Sequence, residues 1–306
     1  MTASLELSSY HKSQAAKATE IYVQGLTTPR AADDWYLAHA EARLMVVDTL
    51  RATNCLRDVS AGLLISGAHS AVLRQLLAPP FSQDQFALLC PDYPKRAEKT
   101  GRGLAPVSAK AVEEAFHAGR DRRLTRWLTG SDGPTFSQVR NLLRSVVPVL
   151  SMQLAATNRR NRMSVEQEGA VTTLLVTRGW LQKSSPLISS LSDVPAKHFM
   201  HKTRFATQTR PQEVDVACGL GATVVLAMEC KVTNDETNSV KRINDILKKA
   251  TAWQLHWGSF VRTAALLQGV IAFKDVERLL DANVDVFWSH DLPTFEAWLS
   301  SNTTGP

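Results

Sequence analysis

Apolar residues recur every three or four positions through DDWYLAHAEARLMVVDTLRATNCL and AGLLISGAHSAVLRQLL, a spacing that predicts amphipathic helices over residues 1 to about 80. Asp33 or Asp34 is placed to cap the first of them. Pro79 and Pro80 end this region, and Pro91, Pro94 and the stretch 101–106 predict a basic, loop-rich connection. Helical spacing returns in SAKAVEEAFHAGRDRRLTRWL and in TFSQVRNLLRSVVPVLSMQLAATNRRNR. From about residue 163 strand-like segments alternate with helical ones. The pattern predicts a helix at 165–178, strands at 213–218 and 223–232, a helix at 238–256 and a strand at 264–272. A short helix at 274–281, a strand at 284–289 and a closing helix at 293–300 complete it. Such alternation indicates an α/β (α+β) region with a central mixed sheet flanked by helices. With a boundary between 150 and 163, the chain is expected to divide into a mostly helical region at 1–155 and the mixed region at 156–306.

Its 306 residues, 44% hydrophobic and 21% charged, suffice for one large core or two smaller ones. No apolar run is long enough to span a membrane, and MTASLELSSYHKSQAAK lacks the apolar stretch of a secretory signal, so a soluble, cytoplasmic protein without membrane association is expected. Cys55, Cys90, Cys218 and Cys230 show neither paired spacing nor nearby histidine ligands, which argues against a zinc site or a disulfide framework. A net charge of +6 suits a polyanionic partner. Placement of the charge is more informative, because Lys95, Arg96, Lys99 and Arg102, then Arg120, Arg122, Arg123 and Arg126, then Arg159, Arg160 and Arg162 form clusters suited to tracking phosphates. A solvated helix face or loop explains any single cluster equally well.

The stretch EVDVACGLGATVVLAMECKV joins two β-rich runs through CGLGA, a glycine-containing connection that predicts a hairpin. Alternation on its second strand sets Val225, Ala227, Glu229 and Lys231 on one face and Val224, Leu226, Met228 and Cys230 on the other. A carboxylate and an ammonium on an otherwise apolar strand are costly unless paired or bound to an ion. Asp215, on the first strand, supplies a second carboxylate. Together with the Cys230 carbonyl oxygen these are the hard ligands that Mg2+ prefers, leaving room for water and a phosphate oxygen. The arrangement suits phosphodiester hydrolysis, with Lys231 placed to orient water or to stabilise the pentavalent charge. A structural Asp/Glu/Lys ion-pair cluster is the competing reading.

Asp215, the hairpin and Glu229-Cys230-Lys231 resemble the D…(D/E)-x-K core of the PD-(D/E)XK nucleases, although Val214 stands where the family name has proline. The run from about 160 onward, in its helix ending RGW, in EVDV…VVLAMECKVTNDETNSVKRIN and in VDVFWSHDL…FEAWL, resembles XamI-type restriction endonucleases. The resemblance implies a restriction-endonuclease-like C-terminal domain and a helical N-terminal region for DNA binding or dimerisation. It further implies a type II enzyme that cuts double-stranded DNA at a short sequence with Mg2+, as a homodimer, with protective methylation from a separate DNA methyltransferase as a functional rather than physical partner. A further acid on the helix before the hairpin is common in the superfamily. Glu168 shares the apolar face of Val165, Val171, Thr172 and Leu175, whereas Glu166 lies nearly opposite, so Glu168 is chosen.

Family members commonly contact the DNA backbone through the helix after the second strand, which implicates Asn238 and Ser239 at its start and Lys241 and Arg242 beyond. Lys248 and Lys249, at its far end, are read equally well as solvated. Lys202 and Arg204 sit in HFMHKTRFATQTRPQEVD, whose basic and aromatic composition suits nucleic acid, while His198 and His201 receive no catalytic role. Two other functions compete: a PD-(D/E)XK nuclease of another defence, repair or transposition system, and a DNA-binding protein of the same fold without catalysis. The complete Asp215, Glu229 and Lys231 set argues against the second, since unneutralised site carboxylates destabilise a fold.

Overall fold

The computed structural model describes residues 2–303, so Met1 and residues 304–306, the outermost positions of the two expected regions, lie outside the described residues. By its internal contacts the chain forms two compact units, one of residues up to Thr28 together with those from Arg159 onward, the other Pro29–Asn158. Helix α1 (Thr2–Gln24) belongs to the first.

The second unit is helical: α2 (Pro29–Ala52), α3 (Val59–Ile65), α4 (Ser70–Leu73), α5 (Gln83–Leu89), α6 (Lys95–Thr100) and α7 (Pro106–Gly119). Helix α2 starts at Pro29 rather than at Asp33 or Asp34, because proline already has the dihedral angle of a first helical turn. Asp58 caps α3 by accepting from Ala61 N–H, and Ser82 and Gln85 form a reciprocal capping box on α5. Val46, Leu63, Leu76, Phe86, Phe116 and Leu142 bury their apolar faces in one core. Trp127 joins it with its indole N–H donated to the Cys55 carbonyl at 2.8 Å.

Helix α8 (Phe136–Thr177) is continuous over 42 residues, through Pro148 and through the stretch 150–163 where the sequence texture changes. Arginine, methionine and glutamine are good helix formers, so the basic run propagates a helix.

In the first unit β1 (Leu181–Gln182), β2 (His198–Phe205), β3 (Gln212–Gly219), β4 (Val225–Thr233), β5 (Val261–Gly269) and β6 (Val284–Trp288) form one six-stranded sheet in chain order. Pairs β2–β3 and β3–β4 are antiparallel, while β1–β2, β4–β5 and β5–β6 are parallel. Helices α9 (Glu236–Trp257) and α10 (Phe273–Asp281) make the crossovers that parallel pairs require, and α11 (Leu292–Asn302) closes the chain. This mixed sheet with flanking helices is the α/β architecture expected. Strand β2 was not among the expected strands. Phe199 and Met200 are both buried and Lys202 has φ +53, so the segment lacks simple alternation. Among the described residues no helix is long and apolar enough to cross a membrane.

Two apolar layers cover the sheet. Leu226, Met228 and Cys230 pack with Val171 and Leu175 of α8 and with Phe295 and Leu299 of α11. On the other side Val225 and Ala227 meet Trp253 of α9, while Ala265 and Leu267 meet Ile243 and Ile246 of α9 and Ala15 and Ala18 of α1. Gly269 has φ +96, and a Cβ there would lie 2.0 Å from the Thr233 carbonyl oxygen, so the end of β5 requires glycine.

Polar contacts fasten α1 to β6 and to the start of α11: the Trp288 indole N–H donates to His11 Nδ1 at 3.2 Å, and Tyr10 donates to Asp291, the N-cap of α11, at 2.7 Å. Burial holds the His11 pKa below its ordinary value. Protonation would also put a hydrogen on Nδ1 against the indole donor. The stability this contact contributes is therefore present above about pH 6.5 and lost as pH falls through the lower folded-state value. Urea unfolding midpoints from pH 8 to 5 should fall in the wild type and fall less in His11→Gln.

Candidate active site

Strand alternation places Glu229 and Lys231 on the α9 side of β4, in line with Val225 and Ala227. Glu229 is 0% exposed. Its Oε2 receives the Lys231 ammonium at 2.5 Å and the Lys249 ammonium, from α9, at 2.8 Å. Its Oε1 is buried without a hydrogen-bond partner among the described residues. Burial pushes the Glu229 carboxyl up, Lys231 and Lys249 oppose that, Asp215 adds to it, and the net direction is upward. For Lys231, burial would lower the pKa, but Glu229 and Asp215 outweigh it and the ammonium is stabilised.

Asp215 comes to this point because the antiparallel register pairs Val216 with Met228, which carries the next residue of β3 toward Glu229. Just past that pair, its Oδ2 accepts the Cys230 backbone N–H at 2.8 Å and lies 3.5 Å from Lys231 Nζ. On β2, Lys202, at its left-handed φ, is absent from the run of paired residues between His201↔Val216 and Thr203↔Val214. Asp245, exposed on α9, stands 3.9 Å from Lys231.

Glu168, on α8, is buried, with Oε1 accepting from Ser164 at 3.2 Å and Oε2 lying 2.7 Å from His201 Nε2 and 3.0 Å from Lys202 Nζ. Burial would raise its pKa, yet His201, Lys202 and Ser164 outweigh that and hold the carboxyl low. Glu166 is exposed, 3.8 Å from Arg162.

A cleft of about 160 Å3 opens between these elements, lined by Arg160, Ser164 and Glu168 of α8, Asp215 of β3, Cys230 and Lys231 of β4 and Arg242 of α9. A larger one of about 570 Å3 lies against β5, β6 and α11, but it holds none of these groups. Its Arg262 is already committed to Asp285, Asn302 and the Trp298 ring, so size does not mark the chemistry.

Asp215, Glu168, Lys231, Arg160 and Arg242 thus share one cleft, with Glu229 directly behind Lys231. Lys202 and Arg204 are exposed and line an adjoining cleft that also contains Asp215. Lys241 is exposed on α9. Asn238 is exposed, but its backbone and side-chain N–H groups both donate to Asp235, the N-cap of α9, so a carboxylate already occupies that helix end. Ser239 is fully buried and donates to Asp275 at 3.1 Å, so its side chain is not brought to the surface for a phosphate. Arg159 lies over the Tyr22 ring and donates to the Tyr22 carbonyl at 3.3 Å, which ties it to α1.

Sequence reasoning passed over His201, now against Glu168, and Lys249, now against Glu229. For Lys249 the signal existed. It stands three residues after Ile246 and four before Trp253, both fully buried, so helical spacing sets it beside the packed face of α9.

The family model of the XamI restriction endonuclease matches residues 54–288. The chain is 30% identical over 192 residues to the type II restriction enzyme XamI of Xanthomonas campestris pv. amaranthicola, covering 61% of this chain and 67% of the relative. Among solved structures it is similar to protein VC1899 from Vibrio cholerae, with a TM-score of 0.30 and 12% identity over 90% of this chain and 57% of that one.

Proposed function

The chain belongs to the XamI restriction endonuclease family, and from that premise we propose that it is a type II enzyme hydrolysing phosphodiester bonds of double-stranded DNA at a short specific sequence, with Mg2+. The observation that carries the reading is the convergence of Asp215, Glu229 and Lys231 beside a cleft flanked by Arg160 and Arg242.

The donor set fits Mg2+. Glu229 Oε1 is a buried carboxylate oxygen without a hydrogen-bond partner among the described residues, and the Asp215 carboxylate is the neighbouring hard ligand. Among the described residues no group of three or more His, Cys, Asp or Glu side chains forms a ready metal cage. Mg2+ needs none, because it is commonly held by one or two carboxylates with water and substrate phosphate completing the shell. The Cys230 carbonyl is the third protein oxygen proposed as a ligand. When bound, Mg2+ supplies polarisation of the scissile phosphate and activation of water.

The chain's own groups then have distinct tasks. Arg160 and Arg242 bind the DNA backbone at the cleft, with Lys202, Arg204 and Lys241 extending the cationic surface. Lys231 Nζ donates to the attacking water or to a non-bridging phosphate oxygen, offsetting negative charge as it develops. Glu168, held low by hydrogen bonds from His201, Lys202 and Ser164 and by the Lys202 charge, adds a fixed negative charge to the α8 wall. Cytoplasmic action as a homodimer, beside a cognate DNA methyltransferase, completes the proposal.

The test is incubation of the purified protein alone with unmodified plasmid DNA and Mg2+. Discrete fragments with defined ends are expected. A smear, or no cleavage across a range of DNA sequences, would overturn the reading.

A further inference from the structure

Two ammonium groups meet one carboxylate oxygen in the core of this unit, and they are not equivalent. Lys231 lines the cleft and faces Asp215 and Asp245 as well as Glu229. Lys249 approaches Glu229 Oε2 from α9, with a side chain 13% exposed, and is not among the residues lining the cleft. Burying an ammonium is costly. Lys231 is shared among three carboxylates, whereas the ion pair of Lys249 is with Glu229, so Lys249 is the cation tied to the placement of that one carboxylate.

We propose that Lys249 is a positioning residue for Glu229, a role that rests on the nuclease function proposed above. By occupying Oε2 from α9, it confines the carboxylate to presenting Oε1, the oxygen without a hydrogen-bond partner among the described residues, toward an incoming cation. It also leaves Lys231 able to turn its ammonium to DNA without stranding a buried negative charge. Lys231 is then the group that meets substrate, and Lys249 acts only through Glu229.

Full-length wild type, Lys249→Met and Lys249→Arg are compared by Mn2+ binding in electron paramagnetic resonance without DNA, by single-turnover plasmid cleavage at saturating metal, and by thermal unfolding. Removing an ammonium relieves repulsion of the dication and a competing donor on Oε2, so Lys249→Met should bind Mn2+ at least as tightly as wild type. Its cleavage rate per folded molecule should nevertheless fall about tenfold or more, the scale on which groups supporting metal ligands act. Lys249→Arg keeps a cationic donor and should recover most of that loss. A loss of melting temperature with an unchanged rate, or a loss of Mn2+ binding together with rate, would reduce Lys249 to a structural counter-ion and overturn the inference. Should Lys249→Met not fold, Lys249→Gln, which keeps a polar head, is held to the same outcomes. A wild type that neither binds Mn2+ nor cleaves DNA overturns the nuclease reading and this inference with it. A wild type that does both beside an unaffected variant overturns the inference alone.

Discussion

Asp215→Asn and Glu229→Gln are each expected to reduce DNA cleavage to background at saturating Mg2+ while the protein stays folded. Each removes a formal charge from the carboxylate pair, yet each keeps an oxygen acceptor where the structure uses one. Asparagine still accepts the Cys230 N–H, and glutamine can still accept from an ammonium. Truncation at the two positions should differ. Asp215 is partly exposed, with a side chain 23% accessible, and Asp215→Ala loses mainly one hydrogen bond, at a cost of about 1–3 kcal/mol if the N–H is left dry. Glu229 is fully buried between two ammonium groups, and Glu229→Ala leaves Lys249 without its carboxylate and Lys231 with only the longer contacts to Asp215 and Asp245, a change on the order of 3–5 kcal/mol. Single-turnover cleavage with urea unfolding of all four variants separates the effects. Near wild-type cleavage by either Asp215→Asn or Glu229→Gln would remove that residue from the metal site. Ca2+ should support DNA binding without cleavage in the wild type, since it occupies oxygen sites but activates water poorly.

Lys231→Ala carries the second large effect. Its side chain is 11% exposed and its ammonium lies within 4 Å of Glu229, Asp215 and Asp245, so its pKa is raised and it remains a cation throughout the working pH range. Loss of one preorganised donor to developing phosphate charge is worth on the order of 3 kcal/mol, or about a hundredfold or more in rate. Lys231→Arg should rescue poorly, because a planar guanidinium does not fit a compact position beside two carboxylates. Single-turnover rates at saturating DNA and metal, with Mn2+ binding followed separately, decide the matter. An unaltered rate in Lys231→Ala would leave the lysine as a counter-ion and nothing more.

Much of this site is local and therefore readable from sequence. Alternation along β4 determined by itself that Glu229 and Lys231 share a face opposite Cys230, since successive strand residues point to opposite sides whatever the sheet packs against. The glycine-bearing connection set the hairpin, and the apolar stripe of the helix before it set Glu168 apart from Glu166. What sequence leaves open are meetings between elements far apart in the chain. Lys249 joins Glu229, 20 residues away, only because α9 crosses back over β4, and His201 reaches Glu168 only because β2 lies beside β3 and under α8. The same packing withdraws Ser239 into a hydrogen bond with Asp275 and commits Arg159 to α1, although their composition suits DNA equally well. A side chain's periodicity determines its face. Whether that face meets solvent, a carboxylate or a ring is decided by which element is laid against it, and burial free energy summed over the whole core makes that choice.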